Sequence, residues 1–324
     1  MDCEDIRRVA VIAAGTMGSG IALSFAQAGY EVSLFDPDPG ALRRAFKRID
    51  RSLQLFVEEG ALGSQQAAAT RGRIAATSDL TDQLDNVQCV VESVPELLEL
   101  KQEVFRQIEN TAPPDAVLAT NTSGLSITEI ASACRHPERV VGTQWWHPAE
   151  IMPLIEVIKG NLTSEAIANV VTGLVRTLGK IPVVVQKDVP GFAGNRLQFA
   201  LLREALHLVE EGIMSPEDVD RTVRYGIGLR YPYAGPLATA DMGGLDVFHH
   251  IAEYLFAELS TMSQPPRSFG RLVDDGSLGI KAGHGFFDYS EADIEGLLRE
   301  RDRFLLREVS MLGDLLQLPE AGRS

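Results

Sequence analysis

The sequence predicts an α/β protein: a doubly wound, mostly parallel sheet over residues 1–187, followed by an all-α domain over residues 188–324. Three observations carry this. A Val- and Ile-rich run (residues 8–14), a glycine turn, a segment with Ile21, Ala22, Phe25 and Ala26 at helical spacing, and an alternating run ending at Asp36 make β-α-β within some 30 residues. Apolar strands then alternate with helical patterns as far as residue 186. Beyond Lys187 the alternation stops, and long helical periodicities follow the turn Asp188-Val189-Pro190-Gly191.

Taken in order, residues 38–75 read as helical and carry a basic cluster of Arg43, Arg44, Lys47, Arg48 and Arg51. Next come a strand at 86–94, a helix from Leu98 to Thr111, a strand at 116–123 and a helix around Ile127 to Cys134. Strands at 140–146 and 154–158, a helix from Ser164 to Leu178 and a strand at 181–186 complete the first domain. In the second domain, residues 199–212 have helical spacing. Ser215 then caps a helix with Pro216 at its first position and Glu217 and Asp218 in its first turn. No internal repeat interrupts this plan.

Composition narrows the function. A net charge of −15 over 324 residues argues against general binding to nucleic acid or anionic membranes. It leaves room for a small anionic ligand at a helix N-terminus. Cys3, Cys89 and Cys134 match no metal spacing and make an odd count, so a reducing cytoplasm fits better than a disulfide framework. The first residues show no secretory pattern, and no apolar run reaches the roughly 18 residues of a membrane span.

The turn after the first strand points to a cofactor. Ala13-Ala14-Gly15-Thr16-Met17-Gly18 occupies the place of a Rossmann-type G-x-G-x-x-G fingerprint. Gly15 lets the backbone approach a diphosphate, Gly18 lets helix and strand pack closely, and the helix N-terminus receives the negative charge. Asp36, at the end of the second strand, is placed to accept from the adenosine ribose hydroxyls and to repel a 2′-phosphate, which favours NAD over NADP. The fingerprint departs at Ala13. If that position needs a positive φ, the methyl group costs about 1–2 kcal/mol.

Further segments converge. Residues 91–101 (VESVPELLELK), 121–127 (NTSGLSI), 142–158 (GTQWWHPAEIMPLIEVI), 188–196 (DVPGFAGNR) and 279–289 (GIKAGHGFFDY) resemble, in order and spacing, successive landmarks of the 3-hydroxyacyl-CoA dehydrogenase family. The wording is similar to the subgroup of pyridine-carboxylate dehydrogenase, L-gulonate 3-dehydrogenase and carnitine dehydrogenase. The resemblance implies hydride transfer between NAD and a 3-hydroxy acid or acyl substrate, with or without CoA. It implies a homodimer joined through the helical domain. Residue by residue, it makes Ser123 a hydrogen-bond partner of the substrate oxygen, Glu156 the carboxylate that orients a catalytic histidine, and Asn195 a polarising amide. Glu96 and Lys101 fall near the nicotinamide and its ribose, Asn121 is a further cofactor-binding residue, Lys281 is a basic residue at the cofactor end, and the Arg43–Arg51 region faces CoA phosphates.

One departure matters most. The family's histidine position holds Gln144, and His147 stands where the family has asparagine. Glutamine does not titrate, and losing a general base commonly costs about 10²–10⁴-fold. Three readings stay open: His147 replaces the base, another base such as Glu156 or water serves altered chemistry on a small alcohol or aldehyde, or the protein binds NAD and turns over weakly. Plainer structural roles also stand: Ser123 as a helix cap, Asn195 as a backbone partner, His147 as a structural residue, the Arg43–Arg51 run as a solvated helix face, and Trp145 and Trp146 as fillers of the two strand faces.

Overall fold

The computed structural model describes residues 2–315. The described chain folds into two compact units: residues 2–196 together with Asp302–Val309, and Leu197–Arg301 with residues 310–315.

The first unit holds a single eight-stranded sheet in the order β3-β2-β1-β4-β5-β6-β7-β8. The strands are β1 (Arg8–Ile12), β2 (Glu31–Phe35), β3 (Ile74–Thr77), β4 (Cys89–Glu92), β5 (Val117–Thr120), β6 (Val140–Trp145), β7 (Leu154–Ile158) and β8 (Ile181–Val185). All neighbouring pairs are parallel except β6 and β7, where Gln144 lies opposite Glu156. The strand order reverses between β1 and β4, and such a switch point opens a crevice beyond the strand C-termini.

Helices cover both faces: α1 (Thr16–Gln27), α2 (Pro39–Glu58), α3 (Ser64–Gly72), α4 (Leu80–Leu84), α5 (Leu98–Thr111), α6 (Ile127–Ala131) and α7 (Glu165–Thr177). The mostly apolar β1, β4 and β5 need cover on both sides, and two cores supply it. One core joins Val9, Val11, Ile21, Phe25 and Trp145, and the other joins Ala10, Ile12, Val90, Phe105 and Ile127. Each large side chain buried this way contributes about 1.5–3 kcal/mol. Leu42, Ala45, Ile49, Leu53 and Phe56 form the buried stripe of α2, whose N-terminus is capped by Asp38 accepting from Gly40 and Ala41 N–H.

The continuous helical reading of residues 38–75 needs correction. The first helix ends before Gly60, which has φ +72°, and β3 follows α3 as an edge strand paired with β2. Four residues at a sheet edge are too short to impose their own period on the sequence. Ser126, not Ser123, caps α6 by accepting from Glu129 N–H.

Helix α8 (Gly194–Glu210) carries the chain out of the first unit. The second unit contains α9 (Pro216–Thr222), α10 (Gly228–Arg230), α11 (Pro236–Gly243), α12 (Leu245–Leu255) and α13 (Arg267–Asp274). Ser215 caps α9 as its sequence predicts. Helices α11 and α12 are jointed at Gly244, which has φ +94°. From α14 (Ile294–Leu315), residues 302–309 belong to the first unit, where Leu305, Leu306 and Val309 join the core and Arg303 and Arg307 both bond Glu59. No helix among the described residues is long and apolar enough to cross a membrane, and they hold no metal-ligating cluster.

Candidate active site

The turn between β1 and α1 is held from two sides. Ala14 N–H donates to Asp36 Oδ2 at 2.9 Å, and Ala14 C=O accepts from Arg48 Nη2 at 2.7 Å. Arg48 Nε also donates to Ser19 Oγ at 3.0 Å. Burial lowers the Arg48 pKa, with Arg44 adding to the effect and Glu150 opposing it. Ala13 has φ +81°, so the methyl group does sit in the left-handed region. A side chain at Gly18 would collide with Ala13 C=O, which explains the glycine there. A Cβ at Gly15 would meet nothing within 4 Å, and Gly15 and Thr16 are exposed at a helix N-terminus with no side-chain cap. Open space, unspent N–H groups and the positive end of α1 together fit a diphosphate. Asp36 Oδ1 accepts from Asp38 N–H, which fixes the carboxylate beside that space.

A second group lies at the ends of β4 and β5. Lys101 is fully buried; its ammonium bonds both oxygens of Glu92 (2.9 and 3.0 Å) and Asn121 C=O (2.9 Å). Burial pushes the Glu92 carboxyl up, while Lys101 and Thr120 pull it back. Lys101 therefore supports the strand ends from behind rather than presenting its charge at the surface. Glu96 is more exposed. Its Oε1 accepts from Thr122 Oγ1 (2.6 Å), Ser123 N–H (2.8 Å) and Gly124 N–H (3.1 Å), and its Oε2 lies 3.8 Å from Lys101. The Asn121 side chain accepts from Trp145 N–H and donates to Ser93, tying β5 to its neighbours.

A third group joins residues far apart in sequence. Asn195, near the start of α8, donates to Ser123 C=O at 2.6 Å and to Gln144 Oε1 at 3.4 Å. The Ser123 hydroxyl makes no hydrogen bond among the described residues and is exposed. Across the sheet from Gln144, Glu156 is 1% exposed. Its Oε1 accepts from Ala193 and Gly194 N–H, both at 3.0 Å, and its Oε2 has no partner. Asp188 anchors the preceding loop by accepting from Ser126 and Thr128. These bonds outweigh the upward push of burial and hold its carboxyl below the ordinary range.

Ser123, Gln144, Glu156 and Asn195 are thus brought together. His147 is exposed beyond the end of β6. Lys281 is exposed in the second unit, in a turn closed by Gly279 N–H on His284 C=O. Trp145 lies in the core against Phe25, whereas Trp146 lies against Gly194. The sequence reading placed Arg48 only in a basic cluster, without its bond to the cofactor turn, and it missed Glu92 and Gly194. The available signal was Arg48 and Ser52 on the margin of the apolar stripe of α2, where Ser52 bonds Glu150.

Comparison with known proteins settles the family. Residues 8–189 match the 3-hydroxyacyl-CoA dehydrogenase NAD binding domain, and residues 191–289 match the C-terminal domain of the same family. The chain belongs to the 3-hydroxyacyl-CoA dehydrogenase family. It is 39% identical over 303 residues to 5-formyl-3-hydroxy-2-methylpyridine 4-carboxylate 5-dehydrogenase of Mesorhizobium japonicum, covering 93% of this chain and 96% of that one. It is 37% identical over 288 residues to a probable 3-hydroxybutyryl-CoA dehydrogenase of Bacillus subtilis, covering 89% and 99%. A crystal structure of the pyridine-carboxylate enzyme, described as an NAD+ dependent dismutase, superposes with a TM-score of 0.89 at 36% identity over 95% of this chain and 99% of that one. This member of the family is an NAD-dependent oxidoreductase.

Proposed function

We propose that this enzyme moves a hydride between NAD and a small hydroxy acid or its carbonyl counterpart, using residues 1–187 to hold the cofactor and residues 188–324 for substrate contacts and homodimer formation in the cytoplasm. In this reading Ala13, Gly15, Thr16, Met17 and Gly18 take the diphosphate and Asp36 takes the adenosine ribose. Glu96, steadied by Lys101, lines the nicotinamide end, and Asn121 joins it in holding the cofactor. NAD supplies the hydride acceptor when bound. Ser123, Gln144 and Asn195 bind and polarise the substrate oxygen, and His147 stands at the outer margin.

The observation that supports this best is the linkage of Ser123, Asn195 and Gln144 beside the buried Glu156 carboxylate. Two hydrogen bonds bring residues from β6, α8 and the loop after β5 to one place, where a substrate oxygen meets several donors.

The test is a panel of 3-hydroxybutyrate, 3-hydroxybutyryl-CoA, L-carnitine, L-gulonate and 5-formyl-3-hydroxy-2-methylpyridine 4-carboxylate, followed by NADH absorbance with product identification. Turnover to a ketone supports oxidation of a secondary alcohol. An acid product points instead to aldehyde chemistry, a reading favoured by the match to the pyridine-carboxylate enzyme. NADH binding without turnover of any member would make the chain a binding protein.

A further inference from the structure

Oxidising an alcohol releases a proton as well as a hydride, and the site holds few groups able to take it. Ser123, Gln144 and Asn195 are neutral donors that do not ionise near neutral pH. His147 is exposed past the end of β6. Lys101 is spent on Glu92 and backbone carbonyls. Glu96 has its Oε1 filled by Thr122, Ser123 and Gly124, and its Oε2 faces Lys101.

Glu156 differs from all of these. Its Oε1 is fixed by Ala193 and Gly194 N–H, which sets the plane of the carboxylate. Its Oε2 is buried with both lone pairs unused, an arrangement that native interiors rarely keep without purpose. Glycine at 194 lets Trp146 and Glu156 pack closely against the start of α8: a Cβ there would lie 2.9 Å from Oε2 and would collide with Trp146. The side chain opposite on the sheet is Gln144, whose carbonyl accepts the 3.4 Å bond from Asn195. A bond that long restrains the amide weakly, and access of a bound substrate to Oε2 requires Gln144 to turn aside.

We infer that Glu156 Oε2 is the proton acceptor of this enzyme, doing directly what an imidazole at position 144 would otherwise do. The inference rests on the NAD-dependent dehydrogenase reading. In the oxidative direction the C–H pair leaves carbon as hydride for NAD. The substrate O–H bond breaks, its electron pair becomes the second C–O bond, and the proton moves to Oε2. Reduction reverses each transfer, with the neutral carboxyl returning the proton to oxygen.

The test uses the full-length enzyme with its best substrate from the panel above, together with NADH fluorescence titration. Glu156→Gln keeps the size of the side chain and removes its basicity. It is expected to lower kcat at least about 100-fold while the Kd for NADH stays within about twofold. Glu156→Ala opens a cavity under the same two N–H groups, and added formate is expected to restore its rate at least tenfold in a saturable manner. A Glu156→Gln rate within tenfold of wild type overturns the inference. So does a Glu156→Ala enzyme that binds NADH normally but gains nothing from formate. Wild type that binds NADH yet oxidises no panel member overturns it too, and wild type that fails to bind NADH brings down the underlying reading instead.

Discussion

Arg48 Nη2 meets the carbonyl of Ala14 at 2.7 Å, so a side chain from the basic face of α2 fastens the turn that receives the diphosphate. Asp36 fastens the same residue through its N–H. One ionic group therefore grips each side of the Ala14 peptide. Losing a charge-assisted hydrogen bond costs about 1.5–3 kcal/mol. Arg48→Met is accordingly expected to weaken NADH binding about tenfold or more in a fluorescence titration. Unchanged affinity would show that the turn holds its shape without the guanidinium.

Ala13 holds a positive φ of 81°. An alanine there costs about 1–2 kcal/mol, while glycine adds about 0.5–1 kcal/mol of backbone entropy to folding. Relief exceeds cost, so Ala13→Gly is expected to stabilise the protein by up to about 1 kcal/mol and raise its thermal midpoint by a few degrees. Calorimetry measures this; a lower midpoint would contradict it.

Lys101 and Glu92 are paired without solvent contact. Removing one partner of a buried pair costs about 3–5 kcal/mol, because the other charge stays uncompensated. Lys101→Met is expected to lower the thermal midpoint by about 10 °C, and Glu92→Gln in the same chain to recover part of the loss. Equal midpoints for the single and double variants would contradict the pairing account.

Much of this architecture is legible in the chain, and the exceptions have physical causes. Helix α5 begins and ends where its pattern predicts, at Leu98 and Thr111, because an amphipathic stripe runs its whole length. Strand β3 escapes because four edge residues carry too little period. Arg48 escapes because spacing shows which face a residue occupies, not which neighbour its long side chain reaches. The meeting of Ser123 and Asn195, 72 positions apart, is visible in the sequence only through family resemblance.

Lys180 gives a pH dependence. Burial pulls its pKa down from 10.5 to about 8, although Glu150 opposes the shift, and its ammonium donates to the carbonyls of Ala149 and Met152. A base whose folded-state pKa is depressed costs stability in full below the folded value, and the cost fades as pH rises toward the unfolded value. A drop from 10.5 to about 8 corresponds to about 3 kcal/mol. Between pH 8 and 10.5, wild type is expected to gain about that much stability relative to Lys180→Met in urea unfolding. Parallel curves for the two proteins would contradict the burial account.

The most direct test is a fluorescence titration of the wild-type enzyme with NADH and, separately, NADPH. The open diphosphate turn and the fixed Asp36 carboxylate require saturable NADH binding, with NADPH at least about tenfold weaker because the carboxylate repels its 2′-phosphate. No saturable signal with NADH up to millimolar concentration, or equal affinity for the two cofactors, would contradict the account.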